Sequence, residues 1–233
     1  MSETNQAPKS AYYPAFLDVR GARCVVVGGG GVAARKVRAL VEAGANVTVV
    51  SPRVCGEIEA MAAEGVVLER RHRPFGPEEL DGAFLAVAAT DDAAVNEAVG
   101  REARARGILV NVVDRPALST FIVPATVSRG RLQVAVSTGG ASPAFARRLR
   151  QRLEGALSPG LAAYLEAMAE ARALVLAEVG DPGRRSQIFE ALASDEFVAR
   201  CLEAGPAAAG AMVLDKAREL IARGGAEQEE PQE

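Results

Sequence analysis

Three groups of residues carry most of the chemistry that this sequence can offer: a run of four glycines at 28–31, an aspartate at 114, and a set of arginines with no acid between them. The glycines lie in Cys24-Val25-Val26-Val27-Gly28-Gly29-Gly30-Gly31-Val32-Ala33-Ala34-Arg35-Lys36, where Gly28, Gly30 and Ala33 fit the pattern G-x-G-x-x-G/A. A first glycine permits a tight turn, a second lets a pyrophosphate reach the backbone, and a small third residue lets helix and strand pack closely. The phosphates rest on the helix N-terminus, where free N–H groups and the helix dipole favour negative charge. Alone, such a run is equally a strand-to-helix turn that binds nothing.

The basic segment runs from Arg115 through Leu153 and holds Arg115, Arg129, Arg131, Arg147, Arg148, Arg150 and Arg152, with no Asp or Glu. Such a segment suits a polyanion, because arginine offers planar bidentate contacts to carboxylates. A solvated or nucleic-acid-binding basic face is the alternative, but no aromatic residues are interleaved to favour nucleic acid. The only histidine, His72, sits among arginines, and one histidine cannot build a multi-histidine metal cage. Cys24, Cys55 and Cys201 form no C-x-x-C pair, which argues against structural zinc and fits a reducing cytoplasm.

These groups must be positioned by elements that alternate along the chain. Strands are expected at Arg23–Val27, Asn46–Val50, Val66–Glu69, Phe84–Ala88 and Ile108–Val113. Helices are expected at Val32–Ala43, at Val54–Glu64 and from a Thr90-Asp91-Asp92 cap to about Arg106, each followed by a glycine. This order predicts a Rossmann-like α/β fold, a parallel sheet with helices on both faces, with ligand at the carboxyl ends of the strands. Those ends are Gly28–Val32, Ser51–Arg53, Ala89–Asp91 and Asp114. The acid that usually accepts ribose hydroxyls about 20 residues after the motif is missing, and Val50-Ser51-Pro52-Arg53 stands in its place. Arg53 is either a 2′-phosphate contact or a solvated helix-start residue. Tyr12–Asp18 is expected to pack across the edge of the first strand.

Beyond Asp114 the pattern changes. Ala125–Ser128 and Leu132–Ser137, joined by Arg129-Gly130, predict an antiparallel hairpin whose open edge suits a subunit contact. Ser137-Thr138-Gly139-Gly140-Ala141-Ser142-Pro143 then leads into a helix to about Leu157, with Ser142 as N-cap. Such a loop can receive carboxylates at the helix N-terminus, or can be an ordinary cap. The remainder, to about Ala222, has helical periodicity broken at Gly180–Gly183 and Gly205-Pro206. Asp114 follows the fifth strand, where ligand is expected; its plain alternative is a cap on the Arg115-Pro116 turn. Asn111 either orients that loop or lies polar at a strand edge. Thr90 and Asp91 contact a ribose, cap the following helix, or do both.

Five motifs in order resemble the precorrin-2 dehydrogenase/sirohydrochlorin ferrochelatase family, the N-terminal module of siroheme synthases. They are the glycine loop through Lys36, Ala88-Ala89-Thr90-Asp91-Asp92, Val110-Asn111-Val112-Val113-Asp114, Phe121-Ile122-x-Pro124, and Ser137-Thr138-Gly139-Gly140-x-Ser142-Pro143-x-x-Ala146-Arg147. The resemblance covers about residues 12–157. It implies oxidation of precorrin-2 to sirohydrochlorin with NAD as hydride acceptor, and in many members insertion of Fe²⁺, as a substrate, to give siroheme. It implies Asp114 as the catalytic residue. Cofactor contacts are expected at Gly28, Gly29, Gly30, Gly31, Val32, Ser51, Pro52, Arg53, Thr90, Asp91 and Val112. Substrate contacts are expected at Asn111, Ser137, Thr138, Gly139, Gly140, Ser142 and Arg147. No resident metal is expected.

The implied assembly is a homodimer acting on a tetrapyrrole in the cytoplasm, with no nucleic acid and no membrane. The expected domains are an NAD-binding domain at 1–114, a dimerisation hairpin with the arginine-rich helix at 115–157, a helical domain at 158–223, and a disordered acidic tail at 224–233. No methyltransferase module is expected. An NAD-binding regulatory subunit without catalysis is the alternative function.

Overall fold

The structure, a computed structural model, describes residues 12–67 and 69–226. It divides into two compact units, one up to Val123 and the other from Pro124. The first unit runs β1 (Arg23–Val27), α1 (Gly31–Glu42), β2 (Asn46–Val50), α2 (Gly56–Ala63), β3 (Glu69–Arg71), β4 (Leu85–Ala88), α3 (Ala93–Ala105) and β5 (Leu109–Val112). All five strands are parallel, in the order β3-β2-β1-β4-β5. The Rossmann-like reading therefore holds. The chain leaves β1 toward one edge and returns beside it as β4, so the direction of winding reverses there and a crevice opens at the strand ends.

Alternation of side chains explains why these strands are nearly all apolar. Cys24 and Val26 pack with Val47, Val49 and α1 and α2 on one face. Val25, Val27, Ala88, Val110 and Val112 pack with Val99 and Ala103 of α3 on the other. Covered on both faces, a parallel strand has no polar side to show. Burial also pushes the Cys24 thiol up to about 11, so it behaves as a core residue.

Two expectations about this unit are corrected. The third strand is Glu69–Arg71 rather than Val66–Glu69. The Val66 and Val67 N–H groups turn back to the Met61 carbonyl and close α2, and among the described residues pairing with β2 runs from Glu69 to Arg71. The stretch from Tyr13 to Asp18 does not pack across β1; Tyr13 is 91% exposed and Phe16 67%.

The edge at β3 is held by charge. Glu79, on a short 3-10 turn at Pro77–Leu80, is fully buried. It accepts from Arg71 Nη1 at 2.6 Å and from Arg73 Nε, and its carbonyl accepts from Arg23 Nη2 at 3.1 Å. A buried carboxylate is tolerated only when paired in this way.

The second unit begins with β6 (Ala125–Arg129) and β7 (Leu132–Val136), an antiparallel pair that turns at Gly130. Then follow α4 (Pro143–Ala156), α5 (Gly160–Glu178), α6 (Pro182–Leu192), α7 (Asp195–Glu203) and α8 (Pro206–Ala226). The helical tail breaks at the expected glycines and also at Ala193–Ser194. Small residues spaced four apart, Ala167, Ala171 and Val175 on α5 and Ala209, Val213 and Ala217 on α8, are buried in one cluster and let the two helices approach closely. The acidic tail from Glu227 lies outside the described residues.

Glu79→Ala strips two arginines of their buried partner and loosens β3. The expected loss is about 2 kcal/mol of unfolding free energy, measurable as a shift in urea midpoint at unchanged m-value. An unaltered midpoint would show that the pairing contributes nothing net.

Candidate functional site

A cleft of about 940 Å³ opens at the carboxyl ends of β1, β2, β4 and β5, within the first unit. The glycine run forms its floor, and each glycine there has a separate job. Gly28 has φ +127°, and a Cβ on it would sit 2.3 Å from the Ala89 carbonyl oxygen. A Cβ on Gly29 would sit 1.9 Å from the Arg53 carbonyl oxygen and 2.8 Å from Ser51 Oγ. Backbone bonds seal both approaches: Gly28 N–H donates to Val50 O at 2.9 Å and Cys55 N–H to Gly29 O at 2.7 Å. Gly30 and Gly31 instead face open space. Gly30 is the N-cap of α1, with no side-chain cap, so the first N–H groups of the helix lack side-chain or intrahelical acceptors. Ala33 is fully buried beneath. This cradle fits a diphosphate: bare backbone, open space and an uncapped helix N-terminus.

Val32, Ser51, Pro52 and Arg53 complete that end of the cleft. The Ser51 hydroxyl donates to Arg53 O at 2.6 Å and shapes the turn. Arg53 is exposed on the rim.

Across the cleft, Thr90 and Asp91 line the wall after β4. The true N-cap of α3 is Asp92, whose Oδ1 accepts from Ala94 N at 2.8 Å and Val95 N at 3.2 Å. Asn96, almost fully buried, grips the turn from behind. Its Nδ2 donates to Thr90 O at 2.8 Å, and its Oδ1 accepts from Thr90 N at 3.2 Å. Thr90 Oγ1 accepts from Asp92 N at 3.1 Å and lies 2.9 Å from Asn96 Oδ1. Asn96 lines the cleft too, as do Cys55, Phe75 and Val113, none of which was expected there from the sequence, and so does Arg115, first of the arginine segment. A polar residue four positions after the Asp92 cap was the available sign for Asn96.

Asp114 lines the cleft and is exposed. Its φ of 57° makes it the only non-glycine with positive φ among the described residues. The Arg115-Pro116 turn that follows has no side-chain cap, so Asp114 is not the turn cap that its position allowed. Val112 is not a lining residue: it is 2% exposed in the core and Val113 lines the cleft in its stead. Val112 turns into the core with Val110, and the next side chain, Val113, points the other way, toward the cleft. Asn111 also lies outside the cleft; its Nδ2 donates to Phe121 O at 3.2 Å and so ties down the loop after Asp114.

The remaining expected contacts belong to the second unit. Ser137 Oγ accepts from Gly139 N at 3.1 Å, Thr138 Oγ1 from Ser142 N at 3.0 Å, and Ser142 Oγ from Phe145 N at 3.2 Å. Gly139 and Gly140 take φ of 60° and 89° to make the bend. The loop is thus self-supporting, with Ser142 capping α4. The arginines divide. Arg115 pairs with Glu97, Arg131 with Glu166 and Arg150 with Glu154, while Arg129 donates to Glu154 O. Arg147, Arg148 and Arg152 are exposed on α4 and meet no acid among the described residues. No group of three or more His, Cys, Asp or Glu among the described residues is arranged to hold a metal. No described helix is long and apolar enough to cross a membrane.

Comparison with known proteins agrees with this geometry. Residues 15–125 match a family profile described as putative NAD(P)-binding, and residues 129–156 match one described as sirohaem biosynthesis protein central. The siroheme synthase of Chromobacterium violaceum is 41% identical over 218 residues, 93% of this chain and 45% of that protein. That of Methylobacillus flagellatus is 49% identical over 178 residues, 76% of this chain and 37% of the other. A solved structure named SirC, precorrin-2 dehydrogenase, superposes with a TM-score of 0.71 at 29% identity, covering 91% of this chain and 98% of that one.

The chain belongs to the precorrin-2 dehydrogenase/sirohydrochlorin ferrochelatase family. It spans less than half the length of these two siroheme synthases. The putative NAD(P)-binding profile spans the cradle, and these matches support a nicotinamide cofactor. Gly29→Ala drives the Arg53 turn outward and is expected to weaken NADH binding at least tenfold in a fluorescence titration. Gly56→Ala, which meets nothing within 4 Å, is expected to change it less than twofold. Equal affinities for both variants would show that the packing of Gly29 on Arg53 does not shape the site.

Proposed function

We propose that the chain catalyses NAD-dependent oxidation of precorrin-2 to sirohydrochlorin in siroheme biosynthesis, and that the same site then admits Fe²⁺ as a second substrate to give siroheme. The observation that carries this reading is the placement of Asp114. Its uncapped, solvent-facing carboxylate shares one cleft with the glycine cradle. The SirC relative, named a precorrin-2 dehydrogenase, supports the same assignment.

When bound, the nicotinamide supplies the acceptor for a hydride, the hydrogen and electron pair of a broken C–H bond. The tetrapyrrole must also lose a proton for the new double bond to form. Asp114, exposed and lining the cleft, takes that proton and passes it to water. The same carboxylate accepts pyrrole N–H protons as a metal ion enters. Thr90 and Asp91 are assigned to the nicotinamide ribose, and Ser51 to the adenosine ribose. Ser51 brings no carboxylate to repel a 2′-phosphate, so NAD is assigned from the family resemblance.

The arginines of α4 without acidic partners, Arg147, Arg148 and Arg152, together with Ser137, Thr138 and the Gly139-Gly140 bend, are assigned to the carboxylates of the tetrapyrrole. We assign a homodimer as the working form, because among the described residues β6 pairs only with β7 and leaves sheet edges open. All three thiols are free, which suits a reducing compartment such as the cytoplasm.

Asp114→Asn keeps a residue type that tolerates positive φ but removes the base. Incubated with precorrin-2 and NAD⁺, it is expected to form sirohydrochlorin and NADH at least 100-fold more slowly, to take up no Fe²⁺, and to bind NADH normally. Full turnover by this variant would refute the role of Asp114. NADH binding without turnover by the unaltered chain would indicate a dinucleotide sensor instead. Sirohydrochlorin formation without iron uptake would limit the chain to the dehydrogenase step. The Arg148→Ala/Arg152→Ala variant is expected to raise KM for the tetrapyrrole about tenfold, or about 1.4 kcal/mol, at constant kcat and constant dimer mass in light scattering; an unchanged KM would remove these two residues from the substrate site.

A further inference from the structure

Asp114 holds a backbone conformation that costs a residue with a Cβ about 1 kcal/mol or more, so its surroundings must enforce it. On the upstream side, Val113 N–H donates to Ala88 O at 3.0 Å, which continues the ladder of β4 and β5. On the downstream side the chain folds back along β5. Arg115 N–H donates to Val112 O at 3.1 Å and Thr120 N–H to Val110 O at 2.8 Å. Ser119 Oγ accepts from Val112 N at 2.9 Å, and Thr120 Oγ1 from Val110 N at 2.8 Å. Two hydroxyls thus serve the open edge of β5, where another strand would otherwise pair.

Helix α3 closes over this fold-back with one face. Glu97, Gly100 and Arg104 follow at spacings of three and four and so lie in line. Glu97 pairs with Arg115, the neighbour of Asp114, at 3.3 Å. Gly100 admits the loop closely, since a Cβ there would lie 3.2 Å from Val112 Cγ2 and 3.3 Å from Leu118 Cβ. Arg104 does most of the holding. Its Nη2 donates to Ala117 O at 3.0 Å and Ser119 O at 2.9 Å, and its Nε to Leu118 O at 3.2 Å. One planar guanidinium therefore clasps three successive carbonyls, which a lysine ammonium cannot match in the same geometry. Neither Glu97, Gly100 nor Arg104 lines the cleft.

We propose that Arg104 is a positioning residue for the reaction: by clasping the 117–119 carbonyls it holds the turn that keeps Asp114 aimed into the cleft. This rests on the acid–base role of Asp114 proposed above. Arg104 touches neither cofactor nor substrate in this scheme, so its effect belongs in kcat and must vanish when Asp114 has no carboxylate.

The test is Arg104→Met, made both in the unaltered chain and in Asp114→Asn. Arg104 is exposed, so the substitution does not empty the core. In the unaltered background kcat is expected to fall about tenfold, with KM for the tetrapyrrole and the NADH dissociation constant within twofold. The Arg115 amide is expected to exchange with deuterium at least tenfold faster. In the Asp114→Asn background, Arg104→Met is expected to change the residual rate less than twofold. Arg104→Lys keeps the charge without the fork and is expected to restore less than half of the lost kcat. Unchanged kcat in Arg104→Met, or an equal fold-loss in both backgrounds, would overturn the positioning role while leaving Asp114 in place. Full turnover by Asp114→Asn would overturn the acid–base reading and this inference with it.

Discussion

The cleft depends on backbone meeting backbone where three strands end. Gly28 lies against the Ala89 carbonyl and Gly29 against the Arg53 carbonyl, so the ends of β1, β2 and β4 converge with no side chain between them. Any Cβ would force the β2–α2 turn or the β4–α3 turn outward. The same economy leaves Gly30 and Gly31 facing open space at an uncapped helix N-terminus. The glycines that are crowded make the walls, and those that are not leave room for an anion at the helix N-terminus.

Charge is then distributed so that little of it is wasted near the site. Glu79 is buried and tied to Arg71 and Arg73, and it anchors the segment that carries Phe75 to the cleft wall. Four of the seven arginines between 115 and 153 are engaged by acids or a carbonyl within their own unit. The three that remain lie on α4, where the proposed function assigns them to the substrate carboxylates. Asp114 shows the same logic with opposite sign: it is left without a capping duty, and the surrounding loop, rather than its own side chain, maintains its conformation.

Much of this was legible in the sequence, because the effects concerned are local. Parallel strands buried on both faces must be apolar throughout, so Cys24–Val27 and Asn46–Val50 stand out. Helix caps act within three residues, so Asp92 and Ser142 could be identified by type and position. The glycine spacing, followed by an apolar helix, pointed to the cradle, and the resemblance of five ordered motifs pointed to the family and to Asp114. The errors were also local. Val112 was named for a cleft that its neighbour Val113 lines, since adjacent side chains on a strand point to opposite faces. The apolar pair Val66-Val67 suggested a strand although it closes a helix.

Long-range pairing was decided only by the tertiary structure. Nothing in the local pattern indicates that Glu79 is buried against arginines six and eight residues away, or that Asn96 reaches back to the Thr90 turn. The clasp of Arg104 on carbonyls 13–15 residues ahead is equally silent in sequence, as is the identity of the arginines left without partners. Propensity, capping and periodicity act over a few residues and are written in their order. Charge pairs and hydrogen bonds to irregular backbone depend on which segments the fold brings together, and that is settled only once β5, its fold-back and α3 have packed.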